Sequence, residues 1–150
     1  MNKPDIPDLL LRSAIASSLA LGGYQHLHLY RAGYRYIHVI GPSFLLDAAA
    51  SFAVAFLVLV GAPWTLRVVA AGLAGGAIAG FVASRTVGIF GFTETGWDPA
   101  PYAVISVAAE GATIAFCVLG GVVALRRLRC DQSGGSAASN SSATISMPSA

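Results

Sequence analysis

Long apolar runs alternate with short polar ones along this chain, and the alternation predicts four helices that cross a membrane. Leu9 to Leu29, Ser43 to Ala62, Leu66 to Thr86 and Tyr102 to Leu125 are each near the roughly 20 residues a helix needs to cross about 30 Å of hydrocarbon. Breakers separate them. Gly41-Pro42 precedes the second run, and Pro63-Trp64-Thr65 is so short a connection that the second and third spans must form an antiparallel hairpin. The segment GIFGFTETGWDPAP, Gly88 to Pro101, is too interrupted by glycine and proline to span. After Arg126, Arg127 and Arg129 the chain turns Ser/Ala/Gly-rich, and residues 131–150 are expected to form a disordered cytoplasmic tail because they bury too little to offset their ordering entropy. The expected fold is all-α, a four-transmembrane-helix antiparallel bundle over residues 1–130 with two polar-aromatic outer loops.

A signal peptide competes for the first span, since LRSAIASSLALGG is an apolar run ending in small residues. Asp5 and Asp8 suit a signal n-region poorly, and the hydrophobic pattern runs on past the cleavage-like point, so the segment reads as a retained helix.

Composition agrees with lipid as solvent. Of 150 residues 55% are hydrophobic and 11% charged, and mean hydropathy is +0.69, where soluble domains are about a quarter charged. The formal net charge of +2 is too small to argue for nucleic acid. Four spans place both termini and the second connection on one face. That face holds Lys3, Arg12, Arg67, Arg126, Arg127 and Arg129, against Arg31, Arg35 and Arg85 opposite, so the positive-inside rule predicts a multi-pass cell-membrane protein with both termini cytoplasmic. Cys117 and Cys130 would be about 20 Å apart on a continuous helix, beyond the reach of a disulfide.

Specificity is expected to reside in Gly22 to Pro42, GGYQHLHLYRAGYRYIHVIGP, which gathers all three histidines and four of the five tyrosines. On a helix, the side chains of His26 and His28 diverge by about 200°, so a metal shared by the two requires an extended backbone. With His38, and Glu94 or Asp98 from the neighbouring loop, a zinc or copper site is a possible arrangement, although the spacing matches no ligand motif. The alternative is an outer aromatic belt, with Tyr34, His28 and Trp97 at headgroup depth. No haem is expected, because only the end of the first span offers a histidine within a helix.

Ionisable residues inside the predicted spans carry the sharper signal. Glu110 lies about 13 Å along its helix from Pro101, near mid-membrane, where an unpaired charge costs at least about 2.5 kcal/mol. It should face the bundle interior. Asp47, Arg85 and His26 reach the same depth, so a buried polar cluster of His26, Asp47, Arg85 and Glu110 is expected, with Arg85 neutralising Asp47 or Glu110. Arg12 can extend to the cytoplasmic interface. In the third span Gly72, Gly76 and Gly80 recur at i+4, a small-residue ridge expected to admit a neighbouring helix or a second protomer.

The stretches GYQHLHLYRAGYRYIHVIGP and TVGIFGFTETGW together resemble a group of small bacterial four-span membrane proteins with no assigned activity, over about Gly22 to Glu110. The resemblance implies the topology and the pairing of the two outer loops, and carries over no catalytic residue. In such relatives a proline is expected after the isoleucine, where this chain has Ile37-His38. The sequence holds no G-x-S-x-G, H-E-x-x-H, P-loop or C-x-x-C motif, so no enzyme activity and no cofactor are expected. The leading functional expectation is a non-enzymatic accessory or scaffold component of the cell envelope, with the bilayer, a membrane or envelope protein and a second copy as partners. The alternative is a small transporter or metal-binding membrane protein using the His/acid cluster.

Overall fold

The computed structural model describes residues 6–61 and 63–142, the last stretch 131–142 as backbone only. It is all-α among these residues: α1 (Ile6–Arg31), a single 3-10 turn (Tyr34–Tyr36), α2 (Ile40–Leu59), α3 (Thr65–Thr86) and α4 (Tyr102–Ser142). Two bounds shift for local reasons. Gly41 and Pro42 belong to the first turn of α2 and do not precede it, because the first turn has no intrahelical partners for its N–H groups and proline loses nothing there. Likewise α1 begins at Ile6 and takes Pro7 into its first turn. Ala62, the expected end of the second span, lies outside the described residues.

Side-chain contacts over residues 6–117 establish the direction of each helix. Asp8 near the start of α1 pairs with Arg67 near the start of α3, so these two helices run the same way. At the other end of α1, His28 stacks on Tyr102 at the start of α4, with ring centroids 4.4 Å apart, and α4 therefore runs antiparallel to α1. α2 returns between them, packed on α1 through Ile15, Leu19, Val54, Ala55 and Val58, a core completed by Ala70 of α3 and flanked by Phe116 of α4.

Among the described residues three helices are long and apolar enough to cross a membrane: α2, α3 and α4 over Tyr102–Cys130. The expectation of four is corrected here. α1 has the length but not the apolarity, since Asp8, Arg12, Gln25, His26, His28 and Arg31 lie along it. Its position explains this composition. One face of α1 is buried, with Ile15 and Leu19 fully enclosed and Gln25 and His26 turned inward, so the polar side chains there meet protein, while Leu10 and Tyr24 lie on its exposed face. The outward residues of α2 and α3 are the ones lipid requires: Leu46 is 71% exposed, Phe56 64% and Val68 57%.

The expected packing ridge on α3 is also corrected. A Cβ added at Gly72, Gly76 or Gly80 would meet nothing within 4 Å. Close helix contact is made instead at Gly23, where an added Cβ would lie 2.9 Å from the Ser51 Cβ and 3.3 Å from the Ala48 carbonyl oxygen. An i+4 series of glycines creates a smooth face, but the rotation of the helix decides whether that face meets a neighbour.

At the end of the bundle where α1 begins, Asp8 bridges Arg12 and Arg67, the latter at 2.8 Å. Burial would by itself raise the Asp8 carboxyl, and the hydrogen bonds and charges of Arg67 and Arg12 outweigh it, leaving the group below the ordinary carboxylate range. Arg12 is thus held by a carboxylate partner.

From Val118 onward α4 forms a separate compact unit. Leu125 does not end the helix, which continues through Arg126, Arg127 and Arg129 to Ser142. A helix already formed extends at one hydrogen bond per residue, without a new nucleation cost. Residues 143–150 of the expected disordered tail lie outside the described residues.

Candidate functional site

The site is built where four helices and a loop converge. His26 enters from α1, Asp47 from α2 and Glu110 from α4, and one ligand-type atom from each lies within 4.8 Å of the others. Glu110 is 3% exposed and His26 8%. The inward turn of Glu110 depends on Gly22. An added Cβ there would collide with Glu110 Oε1, so the absent side chain is the space that the carboxyl occupies.

His26 Nδ1 lies 3.0 Å from the Gly22 carbonyl oxygen, 3.2 Å from Asp47 Oδ2 and 3.9 Å from Glu110 Oε1. Because a carbonyl oxygen only accepts, this approach selects the tautomer or the imidazolium with a hydrogen on Nδ1, donated to the Gly22 carbonyl in the helical i to i−4 direction. Asp47 Oδ2 is buried and has no hydrogen-bond partner among the described residues. Three oxygens therefore surround the single Nδ1 hydrogen, while the Ser51 hydroxyl also serves the Asp47 carboxyl, leaving Oδ2 as its unsatisfied oxygen.

Above the cluster opens a cavity of about 340 Å³. Its floor is His26, Asp47 and Glu110, its walls include Phe44, Phe81 and Val107, and Tyr34, Arg85 and Glu94 also line it. Gly76 and Gly80 lie in the α3 wall. The ridge that reads as a helix-packing motif thus borders empty space.

Arg85 does not neutralise the buried acids. Its Nη2 is 2.9 Å from Glu94 Oε2 and also donates to the Asp98 carbonyl, its Nε donates to the Gly96 carbonyl at 2.8 Å, and its Nη1 donates to Ser84 Oγ. The guanidinium also lies 3.6 Å from the centroid of Phe81, on whose ring Trp97 packs. Arg85 thereby ties the Gly88 to Pro101 connection to the end of α3, because several loop carbonyls within reach of one planar five-donor group bind it better than a single distant carboxylate.

The two long connections meet as the pattern predicts. The Tyr34 hydroxyl donates to Glu94 Oε1, and the Tyr34 ring stands edge-on to Phe44 at 5.1 Å and Phe92 at 5.9 Å. Burial first, and then the Glu94 carboxylate, push the Tyr34 phenol well above its ordinary value.

The other expected ligands are not gathered. His28 stacks on Tyr102, while His38, Trp97 and Asp98 are exposed, so no metal cluster of His26, His28 and His38 with Glu94 or Asp98 forms. α1 is helical through both His26 and His28, which makes their divergence unavoidable. Ser18 passes unnoticed in the sequence; Thr113 Oγ1, on the Glu110 face of its helix, donates to Ser18 Oγ at 2.8 Å and joins α4 to α1 one turn beyond Glu110. The Gly22-Gly23 pair was the available signal, since two adjacent glycines inside a helix weaken it unless something must come close.

The chain matches no protein-family model, no curated protein and no solved structure.

Proposed function

We propose that this chain is an integral membrane protein that holds a small molecule in the cavity between its helices. The observation that carries the reading is Glu110, a carboxyl buried at mid-helix beside unmatched acceptors and opening onto a cavity of about 340 Å³. That is within the size range of small-ligand pockets, and apolar walls with a few convergent polar groups are their usual form. An intramembrane ionisable group not used to join helices points to a ligand or ion path. For the accessory role expected from the sequence, Tyr34 is withdrawn onto Phe44 and Phe92, while Tyr24, Tyr36 and Trp97 stay exposed.

Trp97 packs on the cavity wall at Phe81 and supplies a reporter. In a Trp64→Phe background, 2-phenylethanol should change the Trp97 emission saturably, and Gly80→Leu should abolish the change by filling the cavity at unaltered melting temperature. A non-saturating response, or one that Gly80→Leu leaves intact, would rule out binding in this space.

The same reading has α1 crossing the bilayer as a fourth helix, shielded by protein on one face, with both termini cytoplasmic. Its 26 residues extend roughly 39 Å, enough to cross. A cysteine replacing Thr95 should then react with an impermeant maleimide in intact cells, and Cys130 only after permeabilisation. The reverse pattern would invert the orientation.

A further inference from the structure

The geometry points to an amine cation with an apolar body as the ligand, its ammonium seated between Asp47 and Glu110; this rests on the cavity being a binding site. Charge is the first ground. The titratable groups lining the cavity are His26 on α1, Asp47 on α2, Arg85 on α3, Glu110 on α4, and Tyr34 and Glu94 in the two connections. Arg85 and Glu94 compensate each other at 2.9 Å. The floor is left with two carboxylates and one imidazole. With both carboxyls ionised and the ring protonated one negative charge is uncompensated, and a cation placed between them is what relieves their repulsion and favours that ionised state.

Hydrogen bonding is the second ground. The single Nδ1 hydrogen faces Gly22 O, Asp47 Oδ2 and Glu110 Oε1, and Asp47 Oδ2 is buried without a partner. Unmet acceptors are costly where water is excluded. A primary ammonium brings three donors together with the missing charge, so it meets both deficits at once.

A metal ion would supply charge without donors. The His26 nitrogen nearest the carboxylates is 3.0 Å from the Gly22 carbonyl, an approach that is attractive only with a proton between them; metal bound at that nitrogen would remove the proton. The walls also exceed what an ion needs. Phe44, Phe81, Phe92 and Val107 surround the cavity, and the missing side chains of Gly76 and Gly80 leave room for an apolar body beside α3. Aromatic faces near a cation add to its retention.

The test uses the full-length protein in the Trp64→Phe background at neutral pH, with 2-phenylethylammonium, its neutral counterpart 2-phenylethanol, and zinc ion as probes. The ammonium should bind roughly tenfold or more tightly than the alcohol, the scale of one hydrogen bond to a charged group. Glu110→Gln and Asp47→Asn should each erase most of that preference, and saturable binding of the alcohol by each variant, at whatever affinity, shows that the cavity is intact. Equal affinity for the two aromatic probes, or a preference surviving both substitutions, overturns the inference and leaves the cavity reading standing. Stoichiometric zinc that blocks the ammonium and requires Glu110 overturns it in favour of a metal site. Failure of both aromatic probes removes the cavity reading together with the inference.

Discussion

Gly23→Leu should prevent α1 from docking on α2 and unfold the bundle, whereas alanine at Gly72 or Gly76 should be tolerated or mildly stabilising. At Gly23 even a methyl group would meet the Ser51 Cβ at 2.9 Å and the Ala48 carbonyl at 3.3 Å. Neither is the end of a flexible side chain, so relief requires moving helix backbone. For Gly23→Ala, overpacking of this kind costs about 1–3 kcal/mol, and leucine exceeds it because its branched end has no space to enter. Gly72 and Gly76 present the opposite situation. Nothing lies within 4 Å of an added Cβ, and alanine in a helix interior is favoured over glycine by about 0.5–1 kcal/mol. Equilibrium unfolding in detergent checks both arms. If Gly72→Ala destabilises as much as Gly23→Ala, then α3 meets a partner, such as a second copy, through the ridge.

The second large effect is expected at Arg85. Arg85→Gln removes the ion pair to Glu94 and the bonds to Gly96 and Asp98, leaving Glu94 with only the Tyr34 hydroxyl. The two side chains are 12% and 17% exposed, so the pair is mostly withdrawn from water, and breaking such a pair costs about 3 kcal/mol. The Gly88 to Pro101 connection should loosen, and Trp97, packed on Phe81 beneath the guanidinium, should report the change through its emission. Adding Glu94→Gln should then cost much less than it does alone, a coupling of about 0.5–3 kcal/mol. Arg85→Gln and Glu110→Gln should add, since they share no partner. Coupling between Arg85 and Glu110 as strong as that between Arg85 and Glu94 would return Arg85 to the buried acid cluster.

These two expectations differ from the sequence reading at one kind of step. Apolar runs and the residues that interrupt them are local properties, and each helix, each connection and the inward placement of Glu110 follow from the unfavourable transfer of polar groups into lipid. The meeting of the Tyr34 and Glu94 connections follows from the direction of each span. Local pattern therefore sufficed for these features.

Partner choice was decided only by the folded arrangement. Arg85 had three acidic residues within plausible reach, and the selection of Glu94 depends on where the Gly96 and Asp98 carbonyls fall around the guanidinium, which no spacing in the chain encodes. The glycine ridge of α3 has the periodicity of a packing face, yet helix rotation turns it toward a cavity, while the less conspicuous Gly22 and Gly23 make the close approaches. α1 fell short of the apolarity of a lipid-facing helix because the others enclose one of its faces, so the side chains it turns inward meet protein. His26, Asp47 and Glu110 come from three helices far apart in the chain, and only the packing of α1 against α2 and α4 brings their polar atoms within 4.8 Å.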